Sequence, residues 1–408
     1  MAFNGEIYEI FSWLPPKLLY KLSSKSKPCS EFLSESRFVE KQCRNSEIKP
    51  VEYILTQDDS NPHSKAQYLR VCTLGDPDHD QASRDRISSM IPSKEFNDLK
   101  DNSRVIASSN GILLCQTYNF QKPMKFFLCN PATRSIAYIQ PPSKDIMVED
   151  TEVGIDASIA CMVFICGKNY SEKPSKFPMD YTLLLFYHTP TWSNYRNVYV
   201  LKHGNWELKR ENLFIGPGNV DFQNPVHCTD GLYLLSDASY LLHYDIQHGT
   251  SRILPLPNEA QDDDIIHTSI GIFGWEKSDM DHSCFRSICL VKIKYSEIIS
   301  IWTLDIGHMD RDKLIWRETS IMNKSRVDDL GIEGFVSWRP SFAIIEKKLI
   351  MAAGRHVYSY CLEDMNMLRK AKRVSKINGD PSGPFRFYSY SSTLRPCNKD
   401  IITGLMSS

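Results

Sequence analysis

No stretch of this 408-residue chain is apolar for long enough to cross a bilayer as a helix. The longest purely apolar run, Ile159 to Cys166, falls far short of the roughly 20 residues that a spanning helix needs. An excess of one charge is missing too: 48 Lys and Arg stand against 49 Asp and Glu, a formal net charge of −1. Binding to nucleic acid by bulk electrostatics calls for a basic excess, so that class is set aside. No secretory leader is expected either, since MAFNGEIYEIF carries acids where a secretory n-region is positive. These absences predict a soluble protein of the cytoplasm or nucleus, with no membrane partner.

Paired cysteines are missing as well. The 12 cysteines are scattered, none forms a CxxC pair, and Cys115, Cys129, Cys161 and Cys289 lie inside apolar stretches. That pattern predicts buried reduced thiols rather than disulfides or a metal site. Local catalytic motifs are lacking: there is no GxSxG, no P-loop and no HExxH. Asp76, Asp78 and Asp80 alternate as in a calcium loop, but the glycine and bidentate glutamate of such a loop do not follow. Asp262, Asp263 and Asp264 read as a solvated acidic loop. His282, Cys284 and Cys289 lack a fourth ligand. His203, His227, His243 and His267 have no local carboxylate or thiol pattern. The expectation is a non-enzyme with no catalytic residue, metal or cofactor.

What the chain does have is a recurring hairpin. SNGILLC is followed by KFFLCNPATRSIAYIQPP, and DGLYLL by YLLHYDIQHGTSRILPLP. Each copy runs through a Gly turn, an apolar strand, a loop, a second strand, a polar turn and a third strand that ends in prolines. Asn110-Gly111 supplies the positive backbone angles of a tight hairpin, and the prolines stop ladder pairing. Further pairs follow the same signs: SIACMVFIC with YTLLLFYHT and NWELKR outside, SICLVKI with ISIWTLD and LIWRETS, KKLIMAA with HVYSYCL, and VEYILTQ with QYLRVCTL. Units of about 50–60 residues that cannot bury an apolar face alone must stack, which predicts a mainly β fold, a β-propeller of about seven blades. FRFYSYSSTL, Phe385 to Leu394, is expected to close the ring on the blade that begins near Val51.

Residues 7–44 carry no strand signal. Ile7, Ile10, Phe11 and Leu14 fall at helical spacing and predict one apolar stripe. Pro15 and Pro16 stop that helix, and Leu18, Leu19 and Leu22 form a second stripe. The stretch from Glu9 to Gln42, EIFSWLPPKLLYKLSSKSKPCSEFLSESRFVEKQ, resembles the later two-thirds of a plant F-box. Glu9, Ile10, Leu14, Pro15, Lys17, Leu19, Ser26, Lys27 and Phe38 stand where that family has the same residue. Glu6, Lys25 and Cys29 depart from it. SSNGILLC, CNPATR (Cys129 to Arg134) and FYSYSSTLRPCN resemble the F-box associated domain, whose members carry a kelch-like propeller.

The resemblance implies an F-box-like helical module over residues 1–46 and an F-box associated domain over 47–408. It implies docking on the Skp adaptor of an SCF-type cullin-RING ubiquitin ligase through Ile10, Leu14, Pro15, Leu18, Leu19 and Leu22. The propeller would then receive a target protein, with no covalent chemistry done by this chain. The alternative is a propeller binding or scaffold protein that has lost adaptor docking. Trp275 and the Trp338-Arg339 pair are read as contact or blade-packing residues. Among loops, the polar stretch TPTWSNYRN offers Trp192, Tyr195 and Arg196 as the target contact.

Overall fold

Two prolines organise the start of the chain. α1 (Gly5–Ser12) ends before Pro15, and Pro16 opens α2 (Pro16–Ser23), where its missing N–H costs nothing. α3 (Lys27–Leu33) and α4 (Ser36–Ile48) complete a helical head. Its core is Leu19, Phe32, Leu33, Phe38, Val39 and Cys43, with Tyr8, Phe11 and Leu14 packed against it. Tyr8 meets Phe32 and Phe38 edge-on, each at 5.6 Å. The stripe expected on the first helix therefore divides: Phe11 turns inward beside Tyr8, while Ile7 and Ile10 are exposed.

The computed structural model describes residues 5–48, 53–58, 67–70, 103–117, 125–133, 135–140, 160–166, 181–188, 194–202, 205–222, 224–228, 231–261, 268–276, 286–294, 298–306, 315–322, 341–345, 348–353, 356–362, 372–376, 385–391 and 393–397. After the head come β1 (Tyr53–Asp58) and β2 (Gln67–Arg70). A first meander holds β3 (Ser103–Ser109), β4 (Ile112–Thr117), β5 (Lys125–Asn130) and β6 (Ser135–Ile139). The second holds β7 (Ala160–Cys166), β8 (Tyr181–His188), β9 (Tyr195–Lys202) and β10 (Asn205–Phe214). The third holds β11 (Val226–Cys228), β12 (Gly231–Leu235), β13 (Tyr240–Asp245) and β14 (Thr250–Pro255). The fourth holds β15 (Thr268–Glu276), β16 (Arg286–Lys294), β17 (Ile298–Asp305) and β18 (Trp316–Met322). The fifth holds β19 (Ser341–Ile345), β20 (Lys348–Ala353), β21 (His356–Cys361) and β22 (Lys372–Lys376), and β23 (Phe385–Tyr390) follows. Each meander is a four-stranded antiparallel sheet, and β23, β1 and β2 form a further three-stranded sheet. The pairings expected from the sequence hold at β1–β2, β7–β8, β16–β17–β18 and β20–β21, with β10 outermost.

The sheets close into a ring because each buries both faces against its neighbours. In β4, Ile112 and Leu114 pack toward β7 and β8, whereas Leu113 and Cys115 pack toward β1 and β23. Both parities being buried, the strand reads as an unbroken apolar run. Leu234 and Leu242 meet Val163 and Phe186; Tyr233 and Leu241 meet Leu290 and Trp302. Val291 and Ile301 meet Leu349 and Met351, and Ile350 and Val357 meet Ile54 and Phe385. Every sheet shares one core with the sheet before it and one with the sheet after it. This is a β-propeller of five four-stranded blades, closed by the three-stranded sheet.

The expectation of about seven blades is corrected here. The inner strands start at residues 103, 160, 226, 268, 341 and 385, so the spacing is uneven. A count from mean spacing also misses that the two ends of the chain share one sheet. Closure itself is as expected: β23 runs antiparallel to β1, from Tyr53 opposite Tyr390 to Asp58 opposite Phe385. A second correction concerns the repeat, which reads as three strands in the sequence. In the first and third blades the repeat is preceded by a fourth, innermost strand ahead of the Gly turn, β3 (SRVIASS) and β11 (VHC), too short or too mixed to signal itself, whereas the innermost strand of the second blade, β7, reads directly from SIACMVFIC.

Adjacent blades are also stapled at their rims. The Trp206 indole N–H on β10 donates to the carbonyl of Gln140, just beyond β6, at 2.9 Å. The Trp316 indole on β18 donates to Pro255 O, at the end of β14, at 3.0 Å. Proline ends the ladder at both places and leaves a carbonyl for the next blade to use.

Candidate docking faces

The inner strands run in one direction around the ring. Near their ends, Ser108 Oγ of β3 donates to Ser389 O of β23 at 2.6 Å, and Cys166 N of β7 donates to Ser109 Oγ at 3.1 Å. Near their starts, Phe385 N of β23 donates to Ser341 Oγ of β19 at 2.6 Å. The ring thus has a face of strand ends and a face of strand starts.

On the face of strand ends, residues 393–397 are bonded to the first blade. Asn130, wholly buried, donates from Nδ2 to Thr393 O at 3.0 Å and to Arg395 O at 2.7 Å. Its Oδ1 accepts from Ala132 N at 2.9 Å and from the Tyr390 hydroxyl at 3.4 Å. Every hydrogen-bonding position of that amide is in use. Cys397 N donates to Ser135 Oγ at 3.2 Å, and Ser135 Oγ pairs with Thr133 Oγ1 at 2.7 Å. Burial pushes the Cys397 thiol up to about 12, so it stays protonated and donates to Ser135 O. Asn110 and Gly111 have φ of 50° and 76°, the turn expected. Gly111 has a second reason to be glycine: a Cβ there would lie 2.2 Å from Thr393 Oγ1 and 2.9 Å from Ser391 O. The NG and CNPAT motifs are therefore the socket of the closing segment.

The head sits on this same face. Leu394 enters the head core, and its N–H donates to Gln42 Oε1 at 2.9 Å. Gln42 Nε2 in turn donates to Ser46 Oγ at 2.9 Å. The head is thereby fixed to the ring through the closing segment.

Of the expected adaptor contacts, Ile10 is 60% exposed and Leu18 45% exposed, and Pro15 is exposed. Leu14 and Leu22 are half-buried. Leu19 is a correction: at 1% exposure it belongs to the head's own core and has no surface to offer a partner. Two exposed residues not among the expected contacts, Ile7 and Trp13, join Ile10 at spacings of three residues. Glu9 and Lys41 form an ion pair beside them, and the Glu9 carboxyl is held below its usual range chiefly by the bond from Lys41.

On the face of strand starts lie Tyr195 and Arg196. They were expected in a polar loop; instead Tyr195 opens β9, which runs parallel to β7 because both pair antiparallel with β8. The Tyr195 ring lies 5.4 Å from Phe214, an exposed residue at the end of β10. Arg196 stacks over Phe222 at 5.9 Å and donates to Tyr195 O at 2.8 Å. Trp192 lies outside the described residues, as do Trp338, Arg339, His282, Cys284 and the acidic loops at 75–80 and 262–264. Trp275 packs against the core between the fourth and fifth blades. Nine of the cysteines among the described residues are in no disulfide, and seven of those nine are buried. No group of three potential metal ligands occurs among them. No helix among them is long and apolar enough to cross a membrane.

The ring topology defines the class, a β-propeller with a helical head. No family model matches the chain. No curated protein matches it either. Among solved structures, the SapL1 lectin in complex with alpha methyl fucoside aligns at TM-score 0.37 and 9% identity, over 68% of this chain and 80% of that one. YCF48 from Cyanidioschyzon merolae aligns at TM-score 0.37 and 10% identity, over 81% and 89%. A post-proline cleaving enzyme from Rickettsia typhi aligns at TM-score 0.37 and 9% identity, over 89% and 59%. Likeness at this level carries nothing about function.

Proposed function

We propose that this chain is the substrate-recognition subunit of an SCF-type ubiquitin ligase. The head docks on the Skp adaptor, and the kelch-like propeller binds a target protein on the face of strand starts. The observation that carries this reading is the exposed apolar row of Ile7, Ile10 and Trp13, together with Leu18, on a head bonded to the opposite face of the ring. Four exposed large apolar side chains on so small a module are costly in water unless something covers them. Rigid attachment through Leu394 holds an adaptor on one side and a target on the other. That raises the effective concentration of target lysines near the conjugating enzyme, with no chemistry asked of this chain.

A second reading is a propeller scaffold without adaptor docking. The burial of Leu19, with Leu14 packed against the same core, favours it, since these two of the six expected contacts serve the head itself. Capture of purified Skp adaptor by the full chain separates the two. Ile10→Arg and Leu18→Arg, each at an exposed position, should abolish capture and leave the melting temperature unchanged. Absence of capture by the wild-type chain would establish the scaffold reading instead.

A further inference from the structure

The exposed apolar side chains of the head have a cationic border. Between Ile10 and Ser30 the chain carries four lysines and no carboxylate. Of these, Lys21, Lys25 and Lys27 are exposed. Lys21 stands three residues after the exposed Leu18, so the two are neighbours on one side of α2. The chain keeps its helical course just past α2: Lys25 N donates to Leu22 O at 3.1 Å, which sets Lys25 one turn beyond Leu22. Lys27 then opens α3.

Two cations elsewhere on the head are answered, Lys41 by Glu9 and Arg44 by Glu40. Among the described residues no ion pair involves Lys21, Lys25 or Lys27. Glu31, one turn along α3 from Lys27, forms none with it. Three like charges on one short segment repel one another, and carboxylates supplied from outside turn that repulsion into attraction. Lys25 departs from the F-box pattern, so the strip as a whole is not part of that resemblance. Being exposed, Lys25 adds nothing charged to the head's own core. It extends a cationic strip beside an apolar one.

We propose that Lys21, Lys25 and Lys27 form a cationic rim beside Leu18, and that the partner docking there is a protein whose apolar groove is bordered by carboxylates. The inference rests on the adaptor reading above and adds the chemistry that the adaptor's surface must have. A protein fits better than a lipid surface. Glu6 is exposed next to Ile7 on α1, and an anionic bilayer that received Ile7 would draw that carboxylate in with it. A rim of this kind acts mainly on the encounter: it steers the partner in and sets its direction across the head, while the apolar contact sets the lifetime of the complex.

The test is binding of purified Skp adaptor to the full chain in about 50 mM and about 500 mM NaCl, with association and dissociation rates read separately. Lys21→Gln, Lys25→Gln and Lys27→Gln combined should lower the association rate at low salt by roughly tenfold, leave the dissociation rate within about twofold, and remove most of the salt dependence. All three positions are exposed, so the melting temperature should not move. Lys25→Glu should slow association more than Lys25→Gln, because it sets like charges against each other. Capture of equal strength at both salt concentrations would overturn the rim and leave adaptor docking standing. So would a triple variant that associates as fast as the wild type. No capture by the wild type at either concentration would remove the adaptor reading, and the rim with it. Sedimentation of the full chain with phosphatidylserine vesicles, lost in the triple variant, would assign the lysines to a lipid surface and overturn the proposal as well.

Discussion

The two faces of the ring are built on opposite terms. On the face of strand ends, Asn130 uses every donor and acceptor it has, Gly111 admits Thr393 at a distance no side chain would allow, and a helical head covers the joint. On the face of strand starts, Phe214 is exposed next to Tyr195. A face where Asn130 reaches across to a distant segment and where contacts are tight is a joint. A face with an exposed ring such as Phe214 has area left for a partner.

That contrast can be broken in graded steps. Removal of residues 384–408 takes away β23 and the closing segment, so the product should be insoluble or molten; a cooperative, unshifted melt would refute the closure. Gly111→Val combines a positive φ with a steric collision and should cost at least about 3 kcal/mol in urea unfolding. Asn130→Leu strands the carbonyls of Thr393 and Arg395 and should lose about 2–4 kcal/mol, with the head becoming sensitive to protease. Leu19→Ala should destabilise the head by about 2–4 kcal/mol, while Ile10→Ala should stay within about 0.5 kcal/mol; hydrogen exchange over α1–α4 measures both. The smallest effect is expected at the rim, where Trp316→Phe removes one bond to Pro255 O and about 1 kcal/mol.

Much of the ring was legible in the chain. Apolar runs such as ILLC and LYLL mark strands buried on both faces, and their pairings followed from turn residues. Of the six inner strands, β7 and β23 were legible and β3, β11, β15 and β19 were not. Their neighbours in space come from other blades, so SRVIASS has no local pattern to announce that it pairs with β4 and contacts β7 and β23. The docking residues divide in the same way. Ile10 and Leu19 are equally apolar in the text, and only packing puts one outside and the other at 1% exposure. The NG and CNPAT motifs stood out in the sequence by their resemblance to a family signature, yet their physical purpose, to hold Thr393 and Arg395, spans more than 260 positions of sequence.

By itself the sequence determined that this protein is a stack of short antiparallel strands behind a helical head, because hydrophobic period, turn pairs and prolines act over a few residues and need no partner to be read. Tertiary structure alone decided how many sheets close the ring, which face the head is bonded to, and that Gln57, opposite Arg386, comes to accept the Val105 N–H. Those outcomes depend on groups brought together from β1, β3 and β23, and contact between distant strands exists only once the chain has closed on itself.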